Sequence, residues 1–209
     1  MQLGELRLVR GKKWRYARYL NDPNRCWHGA FSAVVLVSED WVAKFTCCQA
    51  TKPCFNRLLQ LDHPVSGLPM VARRLRLVAR SDDTSAGDYH AYLVQRLHPI
   101  TDLPQHRRAA ALRDALLAEV RGKPYSLDPD NDHKLALHLA RKFPPLAEAF
   151  TFLARLIQDT GCVLDDIHER QLMVDRLGNL VLADPVSYNG DGPPILSCEE
   201  AQRLNRGFD

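Results

Sequence analysis

Apolar and polar residues alternate through much of the first hundred positions, as they do along half-buried β-strands. The segments FSAVVLV at 31–37 and WVAKFT at 41–46 are rich in β-branched and aromatic residues, and the SED between them suits a hairpin turn. The same alternation predicts a strand at 70–81 and another at 88–97, joined by the turn-rich SDDTSAG. One short helix is predicted among these strands, at 53–62.

The period of the pattern changes in the second half of the chain. Apolar residues recur at helical spacing over 104–122, 128–143 and 145–161. Gly122 and Gly161 stand where glycine commonly ends a helix. Three helices are therefore predicted in this half.

A short apolar hairpin follows the last predicted helix. Its strands are expected at 171–175 and 180–184, with the turn residues RLGN between them. Strands gathered in one part and helices in another are typical of the α+β class. We therefore predict a bilobal α+β fold, with a β-rich N-terminal lobe at 1–97, a helical C-terminal lobe at 98–209 and a hinge near 95–103. A cleft between two lobes is a common ligand site.

The composition is that of a globular protein, and the net charge does not indicate a nucleic-acid partner. Of the 209 residues, 45 % are hydrophobic and 25 % are charged, as in a globular protein with a substantial core. The net charge of +3 gives no reason to expect a nucleic-acid partner. The arginines within 70–81 are interpreted as the solvated face of a strand. They are Arg73, Arg74, Arg76 and Arg80.

The chain shows no sequence feature of a membrane or disulfide-bonded protein. No segment reaches the roughly 18 apolar residues of a membrane span, and MQLGELRLVRGKKWRYARYL at the N-terminus has no apolar signal core. We expect a cytoplasmic protein without a membrane partner. The six cysteines form no CxxC pair, so free thiols are expected and structural zinc is not.

The residues with the clearest chemistry surround the predicted C-terminal hairpin. In CVLDDIHERQLMVDRLGNLVLADPVSY at 162–188, Asp166, His168 and Gln171 share one tight loop, and Asp184 ends the next strand. Phosphoryl transfer from ATP needs a carboxylate to orient the acceptor hydroxyl and oxygen ligands for magnesium. This stretch supplies both.

The order Asp-x-His-x-x-Gln, hairpin, Asp-Pro resembles the catalytic loop and metal-binding segment of the protein-kinase-like superfamily. HGAFSAVVLVSEDWVAKF is similar to the family's phosphate-covering strand–turn–strand and the next strand with its ATP-binding lysine, here Lys44. AYLVQRLHPI is similar to the strand that enters the hinge.

One subfamily is more closely similar. GAFSA at 29–33, DIH at 166–168 and DPVS at 184–187 resemble motifs of the small early serine/threonine kinases of short-tailed bacteriophages. The resemblance covers about 25–190. It implies ATP and Mg²⁺ as cofactors and a host protein as substrate or target. It also implies residence in the host cytoplasm.

The resemblance assigns a role to each candidate residue. Asp166 would orient the acceptor hydroxyl, and His168 would stabilise the transferred phosphate or make a scaffold hydrogen bond. Lys44 would contact the phosphates, while Gln171 and Asp184 would hold magnesium. The remaining candidates are binding residues for the phosphates and the adenine: Gly29, Phe31 and Ser32 for the phosphates, Gln95 and Leu97 for the adenine.

Each of these residues also has an ordinary structural interpretation. Asp166 suits an Asx turn or a helix cap, and Asp184 stands before a proline, where turns often begin. Lys44 at the end of "VA" could extend its amine to water. His168 could be structural, and 29–32 could be a plain hairpin.

Three departures from the family pattern keep other functions open. Gln171 replaces the usual Asn, Trp27 replaces the first glycine of the phosphate-covering turn, and the helix after Lys44 has no glutamate, with Asp62 the only acid near by. The second hypothesis is a pseudokinase that binds and blocks a host protein. The third is a small-molecule kinase of the aminoglycoside or choline type, which usually has a larger C-terminal lobe. The oligomeric state is left open.

Overall fold

A six-stranded antiparallel sheet, four α-helices and two short strand pairs make up most of the described part of the chain. The predicted α+β class, with strands first and helices after them, is confirmed. The division into lobes at 97/98 stays a prediction. A computed structural model describes residues 6–8, 24–28, 32–46, 48, 50–81, 89–121, 128–164 and 167–187.

The sheet has six strands in the spatial order β1-β5-β6-β4-β3-β2, and all neighbours are antiparallel. Along β3 buried and half-buried residues alternate, whereas β4, inside the sheet, is buried over almost its whole length. The four predicted strands are confirmed to within two residues at each end. The strands are β1 (Leu6–Leu8), β2 (Cys26–His28), β3 (Ser32–Leu36), β4 (Trp41–Thr46), β5 (Val71–Ser81) and β6 (Tyr89–Gln95).

Helix α1, Thr51–Leu58, lies between β4 and β5. The predicted end at 62 is wrong, because the chain leaves the helix after Leu58. The N–H of Gln60 donates to the carbonyl of Arg57 at 3.1 Å, a bond that tightens the end of the helix. Leu61, beyond the end of the helix, is 38 % exposed.

Three longer helices follow the sheet: α2 (Arg107–Val120), α3 (Pro129–Lys142) and α4 (Ala147–Thr160). The N-cap of α3 is Asp128, whose carboxylate accepts the N–H of Asp130 at 3.0 Å. Along α4, apolar residues at helical spacing are fully buried. Its end at Gly161, with φ +68°, confirms the predicted C-terminal glycine. Gly122, the other predicted terminator, lies outside the described residues.

Helix α2 begins three residues later than predicted, after a 3₁₀ turn at Pro104–His106. The side chain of His106 is buried, and its Nδ1 accepts the N–H of Thr101 at 3.1 Å. This contact ties the turn to the preceding segment, and the regular helix starts only after it.

The predicted C-terminal hairpin is confirmed, and a second strand pair encloses it. The hairpin turns at Gly178, with φ +82°, and the carboxylate of Asp175 accepts two backbone N–H groups of the turn. The strands are β7 (Val163–Leu164), paired with β10 (Val186–Ser187), and β8 (Leu172–Val174), paired with β9 (Leu180–Leu182).

Backbone hydrogen bonds tie the hairpin to the segment after β6 and to the segment before β5. His98 and Val174 exchange two N–H···O bonds of 2.8 Å, within the segment predicted to be the hinge. In the segment before β5, the carbonyl of Gly67 accepts the N–H of Leu182 at 2.9 Å. The hairpin is therefore held close against the end of β6.

The sequence predicts free cysteine thiols and no membrane span. No described helix is both long and apolar enough to cross a bilayer. Cys48, Cys54 and Cys162 are free thiols, as predicted. The other three cysteine side chains lie outside the described residues.

Candidate active site

A cavity of about 450 Å³ lies between the sheet and the β8–β9 hairpin. Strands β3 and β4 form one wall, and the residues that follow β6 form the next. The segment around the hairpin closes the opposite side. Six of the predicted site residues line this one cavity: Ser32, Lys44, Gln95, Leu97, Gln171 and Asp184.

Lys44 and Asp184 form an ion pair across the cavity. Lys44 lies in β4, between Val34 of β3 and Tyr92 of β6, and only 6 % of the residue is exposed. Its Nζ is 2.9 Å from Oδ2 of Asp184, the side chain of which is 32 % exposed. A buried ammonium group requires such a partner, because desolvation of an unpaired charge is costly.

Helix α1 places an aromatic ring beside this lysine instead of a carboxylate. Nζ of Lys44 is 5.4 Å from the ring centroid of Phe55, within the range of a cation–π contact. The Phe55 ring meets Tyr92 edge-on, with centroids 5.2 Å apart. The absence of a glutamate from α1 thus leaves Lys44 paired with Asp184, while Asp62 is exposed beyond the helix.

Cys54 lies close to the ion pair, and its thiol is buried. Its residue is only 1 % exposed. Burial raises the pKa of the thiol far above its ordinary value, and the nearby charge of Asp184 raises it further. Cys54 therefore acts as a neutral packing group at the back of the site.

The loop before the hairpin is held by backbone contacts. Nδ1 of His168 accepts the N–H of Arg170 at 3.1 Å and caps the 3₁₀ turn Glu169–Gln171. This is a scaffold hydrogen bond, and a contact between His168 and phosphate stays a prediction. The carbonyl of Gln171 accepts the N–H of Ala183 at 2.8 Å, which fixes the loop beside Asp184.

The two residues predicted to meet adenine differ in what they can offer. Gln95 is tied to Met70 twice, through its N–H at 2.8 Å and its Oε1 at 3.2 Å. The N–H of Arg96 donates to the carbonyl of Asp40 at 2.8 Å. Within the described residues the N–H of Leu97 has no hydrogen-bond partner, so Leu97 is the better placed donor for a ligand.

Three predicted site residues lie outside the described part of the chain: Asp166, Gly29 and Phe31. The strand β7 ends two residues before Asp166, and Ile167 resumes immediately after it. The roles of these residues stay predictions.

Two arginines of the cavity were missed by the sequence analysis. Arg96 and Arg170 line it together with Lys44, and Asp184 is the one carboxylate among its described lining residues. Burial and the neighbouring Arg96 lower the pKa of His98, which also lines the cavity. The excess of positive charge favours an anionic ligand. The sequence signal that could have found the two arginines is their position in quoted motifs, Arg96 in VQRLHPI and Arg170 in HERQ.

The donor set fits magnesium bound together with a nucleotide. Asp184 offers a carboxylate and Gln171 an amide oxygen on the same cavity. Magnesium is usually held by one or two carboxylates, with phosphates and waters as further ligands. The described residues contain no cluster of three or more His, Cys, Asp or Glu side chains suited to a metal ion.

A larger cavity of about 690 Å³ lies where α1 meets α4, and none of the predicted site residues lines it. Several of its charged groups pair with one another. Arg57 is 2.8 Å from Asp159, and Nε2 of His63 is 3.5 Å from Glu148. We therefore place the candidate active site in the smaller cavity.

Comparison with known proteins gives matches among solved structures alone. No family model and no curated protein matches the chain, whereas 36 chains of solved structures do. One is the aminoglycoside phosphotransferase APH(2")-IIia in complex with GDP and kanamycin. It is 15 % identical, with a TM-score of 0.29, over 99 % of this chain and 78 % of that chain.

Proposed function

We propose that this chain is an ATP-dependent phosphotransferase of the protein-kinase-like type. The observation that carries the proposal is the 2.9 Å pair between Lys44, on a central strand, and Asp184, after the C-terminal hairpin. Phosphoryl transfer requires a cation that contacts the phosphates and a carboxylate that holds the metal. The pair supplies both groups on one cavity.

The lining of the cavity suggests which residues would hold each part of the nucleotide. Apolar lining residues, including Val34, Val42 and Met173, would contact the adenine, and the N–H of Leu97 would donate to it. Lys44 and Arg170 would contact the phosphates.

Gln171 and Asp184 would hold the metal, through an amide oxygen and a carboxylate. When bound, Mg²⁺ would neutralise charge on the phosphate oxygens. The ion pair holds the Asp184 carboxylate beside the cavity, because Lys44 is itself buried in β4.

The transfer step uses Asp166, whose role follows from the motif resemblance. The oxygen of the acceptor hydroxyl forms a bond to the γ-phosphorus of ATP. The bond from that phosphorus to the oxygen bridging the β-phosphate breaks, and ADP leaves with this oxygen. The hydroxyl proton passes to the carboxylate of Asp166.

The acceptor is proposed to be a serine or threonine hydroxyl of a host protein. This choice comes from the GAFSA, DIH and DPVS motifs and their likeness to phage early kinases. One observation favours a second candidate, the pseudokinase that binds a host protein without chemistry. Phe55 occupies the place beside Lys44 where an active kinase lysine usually meets a glutamate.

A transfer assay with γ-labelled ATP and Mg²⁺ distinguishes these functions. The acceptors are a bacterial lysate and, separately, a panel of small-molecule alcohols and amines. We expect labelled protein bands with the wild type and none with Asp184→Asn. The matched control is Asp62→Asn, an exposed acid away from the cavity, which should label normally.

The remaining outcomes assign the other functions. Label on small molecules alone would replace the protein acceptor with a small-molecule one. Absence of label from a folded wild-type protein would contradict the transferase and favour the pseudokinase.

A further inference from the structure

A carboxylate is buried in helix α3, away from the cavity. Asp132 is only 3 % exposed. Its Oδ2 accepts the N–H of Leu164 at 2.9 Å, across 32 positions of sequence. Leu164 is the last residue of β7, and the chain continues from it to Asp166.

The two-residue strand β7 is held from two sides. One side pairs with β10, where Val186 is in register with Leu164. Asp132 supplies a contact on the other side through the Leu164 N–H. Strand β10 begins at Val186, two residues after Asp184. A shift of β7 would therefore also move the chain that carries Asp184.

The charged form of Asp132 is unfavourable at this buried position. Its pKa is raised to about 6, chiefly by burial. The Leu164 N–H lowers the pKa in part, and the charge of Asp128 raises it. The described titratable groups that face it are Asp128, at the start of the same helix, and Cys162, just before β7. Burial also raises the pKa of Cys162. Among the described groups that shift the pKa of Asp132, none is a cation.

We propose that Asp132 is a positioning residue for the candidate site: by holding the Leu164 N–H it fixes β7 and, through β10, the chain next to Asp184. This inference rests on the proposed function of Asp184. A hydrogen bond to an ionised carboxylate is shorter and stronger than one to a neutral acceptor. Small misplacements of a catalytic group have large effects on rate, so a fixed β7–β10 pair matters.

Amide hydrogen exchange tests the positioning without any assay of activity. The full chain is compared as wild type, Asp132→Asn, Asp132→Ala and the control Asp130→Asn, an exposed residue of the same helix. Peptides that cover 162–168 should exchange at least about 10-fold faster in Asp132→Ala and less so in Asp132→Asn. Peptides of α2 and the control variant should not change. Unchanged exchange at 162–168 in both Asp132 variants would overturn the proposal.

Kinetics of phosphate transfer separate positioning from a merely structural role. We expect kcat of Asp132→Asn to fall about 10-fold to 100-fold, with an unchanged KM for ATP, because Asp132 does not line the cavity. The wild type should also lose rate as the pH falls below about 6, and Asp132→Asn should lack this loss. A variant with wild-type kcat and pH profile would overturn the positioning role.

The two measurements also keep two failures apart. A wild type that binds ATP and transfers nothing would contradict the proposed function, and hydrogen exchange would still decide whether Asp132 holds β7. If Asp132→Ala does not fold, Asp132→Asn alone decides, since its amide oxygen preserves the shape of the acceptor.

Discussion

At the scale of single residues, the site depends on a lysine that is buried and paired. Lys44 is enclosed by neighbouring strands, with Asp184 at 2.9 Å and the ring of Phe55 at 5.4 Å. A buried lysine loses the free energy of hydration of its ammonium group, and the attraction to the carboxylate compensates only part of that loss. Such an arrangement contributes little to stability and suits a group that meets phosphate oxygens when ligand binds.

Replacing Lys44 by methionine should therefore separate folding from binding. Methionine keeps the apolar stem beside Phe55, and the partly exposed Asp184 can take up water once its partner is removed. We expect a loss of stability below the roughly 3 kcal/mol typical of breaking a fully buried pair. Stabilisation by ATP and Mg²⁺ in thermal unfolding should disappear. Lys134→Met, an exposed change on α3, is the control and should retain it.

Asp132 gives the chain a defined dependence of stability on pH. Its pKa is about 6 in the folded protein against an ordinary value of 3.8. Between these values the folded state binds more protons than the unfolded state, so the free energy of unfolding falls as the pH rises. The stabilising proton is fully present below about pH 4 and lost above about pH 6. The difference amounts to at most about 3 kcal/mol.

Urea unfolding at pH 4 and at pH 7 measures this effect. Between the two values, wild-type stability should fall by up to about 3 kcal/mol more than that of Asp132→Asn, because the amide does not titrate. Parallel pH dependence in the two proteins would show that Asp132 keeps its ordinary pKa. A lower stability at neutral pH is the cost of keeping a charged acceptor for the Leu164 N–H.

At the scale of elements, two glycines with positive φ have unequal surroundings. Gly161 ends α4 with φ +68°, and a Cβ there would meet nothing within 4 Å. Gly178 turns the hairpin with φ +82°, and a Cβ there would lie 2.8 Å from the carbonyl oxygen of Gln105. The hairpin therefore packs against the 3₁₀ turn before α2 through a position that only glycine can occupy.

Alanine substitutions should reflect that difference. Gly161→Ala should cost about 1–2 kcal/mol for the left-handed backbone alone. Gly178→Ala should cost at least about 1 kcal/mol more, since the turn must move away from Gln105. Chemical denaturation of both variants measures the two costs. Equal costs would mean that the hairpin does not depend on this contact.

The elements themselves could be predicted from the sequence because the patterns extend over their whole lengths. Alternation identified the strands around 31–46 and 70–97, and the helical period identified α3 and α4. The end of α1 could not be predicted, because the apolar pattern continues to Leu61. The chain turns there through a local hydrogen bond and the exposure of that residue, and neither is visible in periodicity.

At the scale of the whole molecule, the candidate site joins segments that are distant in sequence. The motifs indicated Lys44, Gln171 and Asp184 separately, and the structure brings them to one cavity. The pairing of Lys44 with Asp184 could not be derived from spacing, since it depends on how the hairpin docks against the end of β6. The same holds for the bond between Asp132 and Leu164, which links two elements by tertiary packing alone.

A nucleotide that spans this cavity should stabilise the whole fold. Ligand at about 100 times its Kd adds about 2.7 kcal/mol to the free energy of unfolding. For a chain of this size the melting temperature should rise by roughly 5–10 °C with ATP and Mg²⁺. Differential scanning fluorimetry measures the rise. Absence of any shift in the wild type at millimolar ATP would argue against a nucleotide site.

Lys44 and Asp184 together form the proposed phosphate-transfer site. A double-mutant cycle on the transfer rate tests this role most directly. The rate of γ-phosphate transfer is measured for the wild type, Lys44→Met, Asp184→Asn and the double variant. We predict that each single change lowers kcat/KM about 100-fold to 1,000-fold. The double variant should be about as active as the less active of the two single variants. Wild-type rates in either single variant would contradict the account.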